Sequence, residues 1–266
     1  MLSVNVKFAD MIKKLVILAG GRGSRFIEET HLTPKPMITI GGIPIILHIM
    51  NYYSFFGVKE FIICGGYKIE NIKNFFMNLN NFVNDLAINY AKNEIKFLTK
   101  NNFDWNVKII DTGLHTMTGG RIKRVKKYLT DDENFFLTYG DGLSNVNIEK
   151  LSKFHIAQKK IATLTMVLPP AKYGVIEVNK NIVTKFQEKP RENNILINGG
   201  FFVLNKKIFK FIKNDKTIFE ENVMKKLTKL KELQAYKHFG FWQSMDSLKD
   251  KIDLEKLWLK NPFWKK

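Results

Sequence analysis

The stretch KKLVILAGGRGSRF, Lys13–Phe26, places Arg22 and Arg25 in a glycine turn behind an apolar run. The chain holds 43 Lys+Arg, yet only five are arginines: Arg22, Arg25, Arg121, Arg124 and Arg191. Lysine is its default cation, so an arginine marks a place where a planar, multi-donor fork is useful. Two of them in one turn suit an anion with several oxygens. Glycines let the backbone approach a phosphate, and successive N–H groups form an anion-binding nest. An ordinary strand–turn–helix connection is the plain alternative. The stretch lacks the third glycine of a dinucleotide fingerprint and the Gly-Lys-Ser/Thr of a P-loop. In TPKPM, Lys35 stands between Pro34 and Pro36, which fix φ and remove two donors. That is a stiff strut for an ammonium, or a surface turn. FFLTYGDG reads as a buried strand ending at Asp141. A carboxylate at the carboxyl end of a parallel strand suits Mg²⁺, which takes few protein oxygens and completes its shell with phosphates. An Asp-Gly turn is the alternative. MTGGRIKR reads as a glycine turn entering a helix; the plain alternative for its polar residues is capping by Thr118, with Arg121 and Arg124 on a solvated face.

Such residues need a frame. Apolar runs at Lys14–Ala19, Glu60–Cys64, Val107–Asp111, Phe135–Tyr139 and Ile161–Val167 read as buried strands. Between them, helical periods run near Ile43–Phe56, Ile69–Leu79, Gly119–Leu129 and Asn147–Gln158. The alternation predicts an α/β fold: a Rossmann-like, mostly parallel sheet with helices on both faces. Such sheets bind ligands at the carboxyl ends of their strands. After about residue 168 a hairpin around Asn179-Lys180-Asn181 is predicted, then a strand in INGGFFVLN. Helices follow in KIFKFIKN, EENVMKKLTKLK and DSLKDKIDLEKLWLKN. Segment 80–105, polar and Asn-rich at its start, reads as an insertion or mobile loop. The predicted organisation is an extension over 1–12 and a single domain over 13–260. Its parts are a larger part over 13–168 and a smaller hairpin-and-helix part over 169–260.

Length and composition narrow the class. The 266 residues, 45% hydrophobic, suffice for a substantial core. No apolar run is long enough to cross a bilayer, no signal-peptide pattern opens the chain, and the single Cys64 excludes a disulfide framework. A cytoplasmic protein without membrane partners is expected. The +18 net charge allows two readings: nucleic-acid binding, or a lysine-rich surface with an electropositive cleft for a phosphorylated ligand. The lysines are dispersed along the chain rather than gathered in one arm, which favours the second reading and no nucleic-acid partner. The five histidines show no metal spacing. His48, in an apolar helix, reads as a satisfied core residue, and Cys64 as a buried structural thiol.

LAGGRGSRF…TPKPM, with YGDG and FQEKP later, resembles the sugar nucleotidyltransferases. DTGLHTMTGGRIKRV, INGGFFVLN and FGFWQSMDSLKDK are similar to their glucose-1-phosphate cytidylyltransferase branch, and the likeness runs from about residue 13 to 258. It implies cytidylyl transfer from CTP to a sugar 1-phosphate, α-D-glucose 1-phosphate in this branch, with Mg²⁺ and release of pyrophosphate. It implies that Leu18, Ala19, Gly20, Gly21, Arg22, Gly23, Ser24 and Arg25 wrap the nucleotide. Arg25 and Lys35 would hold the triphosphate, with Gly140 beside it, and Thr116 and Arg121 would recognise CTP. Asp246 would join Asp141 on the metal. Glu188 would meet the sugar and Lys189 its phosphate, with Asn198 and Gly199 lining the sugar pocket. Arg22 departs from the pattern: it adds a phosphate contact or faces solvent. AKYGVIEV also departs, which leaves the sugar less fixed than the nucleotide. The family further implies that 13–168 is a nucleotide-binding part and 169–260 a sugar-binding part, and that the protein is a homo-oligomer.

Overall fold

KLVIL can be buried on both faces because every residue is apolar beyond its first lysine. In the computed structural model this run is the central strand of a seven-stranded sheet. Residues 12–24, 26–101, 103–170, 175–187 and 195–265 are described. The strands are β1 (Lys14–Leu18), β2 (Glu60–Gly65), β3 (Asn106–Asp111), β4 (Asn134–Tyr139), β5 (Ala162–Val167), β6 (Ile197–Asn205) and β7 (Leu233–His238). Their spatial order is β7-β5-β6-β4-β1-β2-β3. β1 lies parallel to β4 and β2, with Leu15 facing Phe136 on one side and Phe61 on the other. β2–β3 and β5–β7 are also parallel, and only β6 runs against its neighbours.

Alternation along β1 builds two cores. Leu15 and Ile17 pack with α1 (Ile45–Phe55), Leu151 of α4 (Ile148–Gln158) and Leu254 of α5 (Leu248–Lys260). Val16 and Leu18 pack on the other face with Ile122 of α3 (Thr118–Arg124), Phe219 and Leu227. α2 (Ile69–Met77) joins the first face through Ile72. Helices therefore cover both faces, as the alternating pattern predicts. His48 is buried, with Nε2 against Ile40 O and Nδ1 accepting from Trp264 Nε1. Burial pushes the Cys64 thiol up to about 12, which suits a structural role.

The strands and first helices lie within a few residues of their sequence positions; the exceptions have identifiable causes. Segment 80–105, read as an insertion or mobile loop, holds a short helix (Leu79–Val83) and a ribbon of Leu86–Asn89 with Glu94–Phe97. Asn84 Oδ1 accepts from Asn101 N, so polar side chains organise what looked irregular. KIFKFIKN forms a 3₁₀ segment, Lys206–Phe211. EENVMKKLTKLK is π-helical over Phe219–Met224 before one α turn over Lys225–Lys229. The hairpin Val175–Asn179/Ile182–Gln187 turns through Lys180 and Asn181, both at positive φ, the signature of a tight primed turn. β6 and β7, both beyond residue 168, are strands of the central sheet. Of the extension over 1–12, only Ile12 is among the described residues.

Candidate active site

A cavity of about 370 Å³ opens at the carboxyl ends of β1 and β4, where a parallel sheet presents its loops. Leu18, Ala19, Gly20, Gly21, Gly23 and Ser24 form one wall; Lys35, Pro36, Thr116, Arg121, Gly140 and Asp141 are among the residues opposite. Among the described residues, the N–H groups of Gly20 to Ser24 donate to no other protein group. Consecutive free donors are the raw material of an anion nest. Two glycines are sterically required. A Cβ at Gly20 would meet Arg121 Nη1 at 2.1 Å, and Gly23 turns the chain at φ +64°. Arg22 is the one residue from Leu18 to Ser24 that does not line this cavity; its side chain is exposed. Arg25 lies outside the described residues.

Arg121 stands behind the loop. It is 5% exposed, which overturns the solvated-face alternative for Arg121, whereas Arg124 is exposed. Nη1 donates to Gly65 O (3.0 Å), Thr112 Oγ1 (2.7 Å) and Gly113 O (2.8 Å), and Nη2 to Gly20 O (3.0 Å). One guanidinium thus straps the glycine loop to the carboxyl ends of β2 and β3. None of these acceptors is a carboxylate, so the charge reaches the cavity without a hydrogen-bonded counterion. Burial pulls its pKa below the ordinary arginine value, with Cys64 and Asp111 acting the other way. Thr118 does not cap α3 either. Met117 holds the cap position, and Thr118 Oγ1 donates to Glu220 Oε2 (2.8 Å).

Lys35 rides the predicted strut. Pro34 is extended, Lys35–Met37 is one 3₁₀ turn, and Pro36 is buried within it. Its ammonium lies 2.6 Å from Asp141 Oδ2 and 2.8 Å from Asp246 Oδ1. Asp141 follows β4. A ribbon pairing Gly142–Ser144 with Trp242–Ser244 brings Asp246 to its side, and Met245 N donates to Asp141 O (2.9 Å). Ser244 Oγ fixes Asp246 Oδ2 (2.7 Å). Burial disfavours the Lys35 charge, but the two carboxylates outweigh it and hold its pKa above the ordinary lysine value.

A second cavity of about 440 Å³ adjoins the first through Thr118, Tyr139 and Asp141. Asn198, Gly199, Trp242, Ser244, Asp246 and Glu220 are among its lining residues. Sequence reasoning placed Asn198 and Gly199 here and missed Tyr139 and Glu220. Tyr139 was legible beside YGDG; Glu220 carries no local signal. Glu188 and Lys189 lie outside the described residues.

A nest of free N–H groups beside a lysine and two convergent carboxylates suits transfer between phosphates. The model of the Nucleotidyl transferase family matches residues 14–256. The chain is a member of the nucleotidyl transferase family. Within it, the chain is 48% identical over 247 residues to glucose-1-phosphate cytidylyltransferase of Salmonella typhimurium, covering 93% of this chain and 96% of the relative. It is 31% identical to D-glycero-alpha-D-manno-heptose 1-phosphate guanylyltransferase of Aneurinibacillus thermoaerophilus, covering 85% and 87%. In fold it is similar to HddC from Yersinia pseudotuberculosis (TM-score 0.69, 24% identity, 93% and 100% covered). It is also similar to a UDP-glucose pyrophosphorylase complexed with UDP-glucose (TM-score 0.68, 19% identity, 94% and 99% covered). Nucleotidyl transferases generally use a divalent metal ion. The residues here fit one: two carboxylates already converge on a single positive charge, and a hard cation bound to phosphates needs few more protein oxygens.

Proposed function

We propose that this nucleotidyl transferase joins CTP to α-D-glucose 1-phosphate, giving CDP-glucose and pyrophosphate. The observation that carries the proposal is the near full-length 48% identity to a glucose-1-phosphate cytidylyltransferase. The geometry supports the coarser part of it, transfer between phosphates. Both substrates are polyanions, so catalysis rests on neutralising charge and aligning the sugar phosphate with the α-phosphorus.

The roles follow from position. The free N–H groups of Gly20 to Ser24 hold triphosphate oxygens, and Arg121 fixes the loop that carries them. Thr116 and Gly140 line the same nucleotide cavity. Asp141 and Asp246 would hold Mg²⁺, which when bound neutralises phosphate charge and helps hold the reacting groups in line. Lys35 has one ammonium and two competing sets of oxygens. It moves from carboxylate to phosphate as substrate enters, and there stabilises the charge that grows on the leaving pyrophosphate. Asn198 and Gly199 line the sugar side. The assignments of Arg25 to the triphosphate, Glu188 to the sugar and Lys189 to its phosphate rest on motif position alone. We assign the enzyme to the cytoplasm, as a homo-oligomer.

The test is product analysis. With CTP, α-D-glucose 1-phosphate and Mg²⁺, equal amounts of CDP-glucose and pyrophosphate should accumulate. Pyrophosphate release no faster than background with every hexose 1-phosphate tried would overturn the assignment.

A further inference from the structure

The second cavity has a carboxylate that neither the metal pair nor the nucleotide site uses. Glu220 is the second residue of the π-helical segment Phe219–Met224. Such segments are uncommon and often occur at functional sites, because the extra residue in the turn re-aims a side chain. Tyr139 Oη donates to Glu220 Oε1 at 2.5 Å, and Thr118 Oγ1 to Oε2 at 2.8 Å. Thr118 Oγ1 accepts in turn from Phe219 N (2.8 Å), which fixes the direction of its own proton. Both donors are neutral, and Glu220 has no ion-pair partner among the described residues. Tyr139 cannot answer with a charge: burial, then Glu220, pushes its pKa above the ordinary tyrosine value.

An ionised carboxylate can accept about four hydrogen bonds. Protein donors fill one place on each oxygen, which leaves a fixed pair of acceptors on a cavity wall. A phosphate is repelled there. A group offering neutral O–H donors is attracted, and two neighbouring hydroxyls can engage both oxygens at once. The other end of the cavity is lined by Asp141 and Asp246, and a cation held by this pair would take up a phosphate there. A sugar 1-phosphate has this polarity: an anion at one end and hydroxyls at the other. Thr118 and Tyr139, the two donors, also line the nucleotide cavity, so the reader of the sugar is tied to the wall between substrates.

We propose that Glu220 is a specificity-determining residue of the sugar subsite: its carboxylate, oriented by Tyr139 and Thr118, accepts one hydroxyl or an adjacent pair of hydroxyls of the sugar 1-phosphate. The inference rests on the transferase reading above. It also sets the sugar's direction, since the reversed pose would place a phosphate dianion against a carboxylate.

The experiment crosses Glu220→Gln and Glu220→Ala with glucose 1-phosphate and its 2-, 3-, 4- and 6-deoxy analogues, at saturating CTP and Mg²⁺. Losing a hydrogen bond to a charged acceptor should cost the wild type about 10–100-fold in kcat/KM for one analogue or an adjacent pair. In Glu220→Ala, glucose 1-phosphate should lose a similar factor, mainly through its own KM, while the KM for CTP changes by less than about twofold. The penalty for the sensitive analogue should then disappear, and Glu220→Gln should fall between. If the deoxy penalties are unchanged in both variants, Glu220 only braces Tyr139 and Thr118 and the proposal is overturned. Should Glu220→Ala fail to fold, the near-isosteric Glu220→Gln decides by the same comparison. A wild type that turns over no sugar 1-phosphate with CTP removes both readings, whereas turnover without coupling removes only this one.

Discussion

The molecule builds the same charge group twice, at opposite ends of its central strand. Lys14 lies 2.6 Å from Asp132 and 3.8 Å from Glu60, and its side chain is 13% exposed. Lys35 lies 2.6 Å from Asp141 and 2.8 Å from Asp246, and is 12% exposed. Charge and exposure do not separate them. Position does. Lys14 is a β1 residue whose ladder partner on β2 is Glu60, so strand pairing fixes that contact. Its nearer acid is close but off the hydrogen-bonding direction, and the ammonium also donates to Tyr128 O. Lys35 stands outside the sheet on a proline strut, well aligned to two acids delivered by a separate ribbon. It faces a cavity of free N–H groups that none of the Lys14 group lines. A lysine between two carboxylates is a brace at the amino end of β1 and, under the proposed function, a centre for exchanging cations at the carboxyl end.

The sharpest way to break this comparison is to remove one acid at the exchanging end. Asp141→Asn or Asp246→Asn should cost turnover at least about 10²–10³-fold, the scale of one preorganised electrostatic group. The thermal midpoint should move little. Near-normal turnover at saturating Mg²⁺ would remove the pair from the mechanism. Arg121→Lys comes next. A lysine cannot span Gly20, Gly65 and Gly113 with one planar group, so stability should drop by about 2–3 kcal/mol in chemical denaturation. The KM for CTP should rise with it; a variant unchanged in both would show that the loop stands without its strap.

A buried base with no carboxylate at all marks the other extreme. His155 lies between Thr163 Oγ1 and Asn134 Oδ1, and burial lowers its pKa to about 4. The folded state keeps it neutral where the unfolded chain takes up a proton. Its contribution is therefore complete above about pH 6.5, erodes as pH falls toward 4, and totals about 3 kcal/mol. Denaturation at stepped pH should show that erosion, and His155→Gln should flatten it. The smallest effect is expected at the brace. Lys14→Met should cost about 1 kcal/mol or less and leave kcat unchanged.

The parallel frame was legible because β1, β2 and β4 are mostly apolar and alternate with helical periods. The glycine loop and the strut were legible because backbone chemistry there depends on local residue types. Asp246 was not, since a ribbon made by distant segments brings it to Asp141; only family likeness joined the two. Arg121 reads as a surface cation in its own helix and is buried by loops from three strands. Glu220 is one acid in a lysine-rich stretch, and only the π-helical turn and two distant hydroxyls distinguish it. Local chemistry marks backbone cradles; side chains that meet through topology need the fold.

The central claim is that the carboxyl-end group, and not its twin, is the centre of cytidylyl transfer. The most direct measurement is pyrophosphate release from CTP and α-D-glucose 1-phosphate with Mg²⁺, run side by side on wild type, Asp141→Asn and Asp132→Asn. The account predicts turnover by wild type and Asp132→Asn at equal rates, and close to none by Asp141→Asn. Equal losses in the two variants, or a wild type that releases no pyrophosphate from CTP, would contradict it.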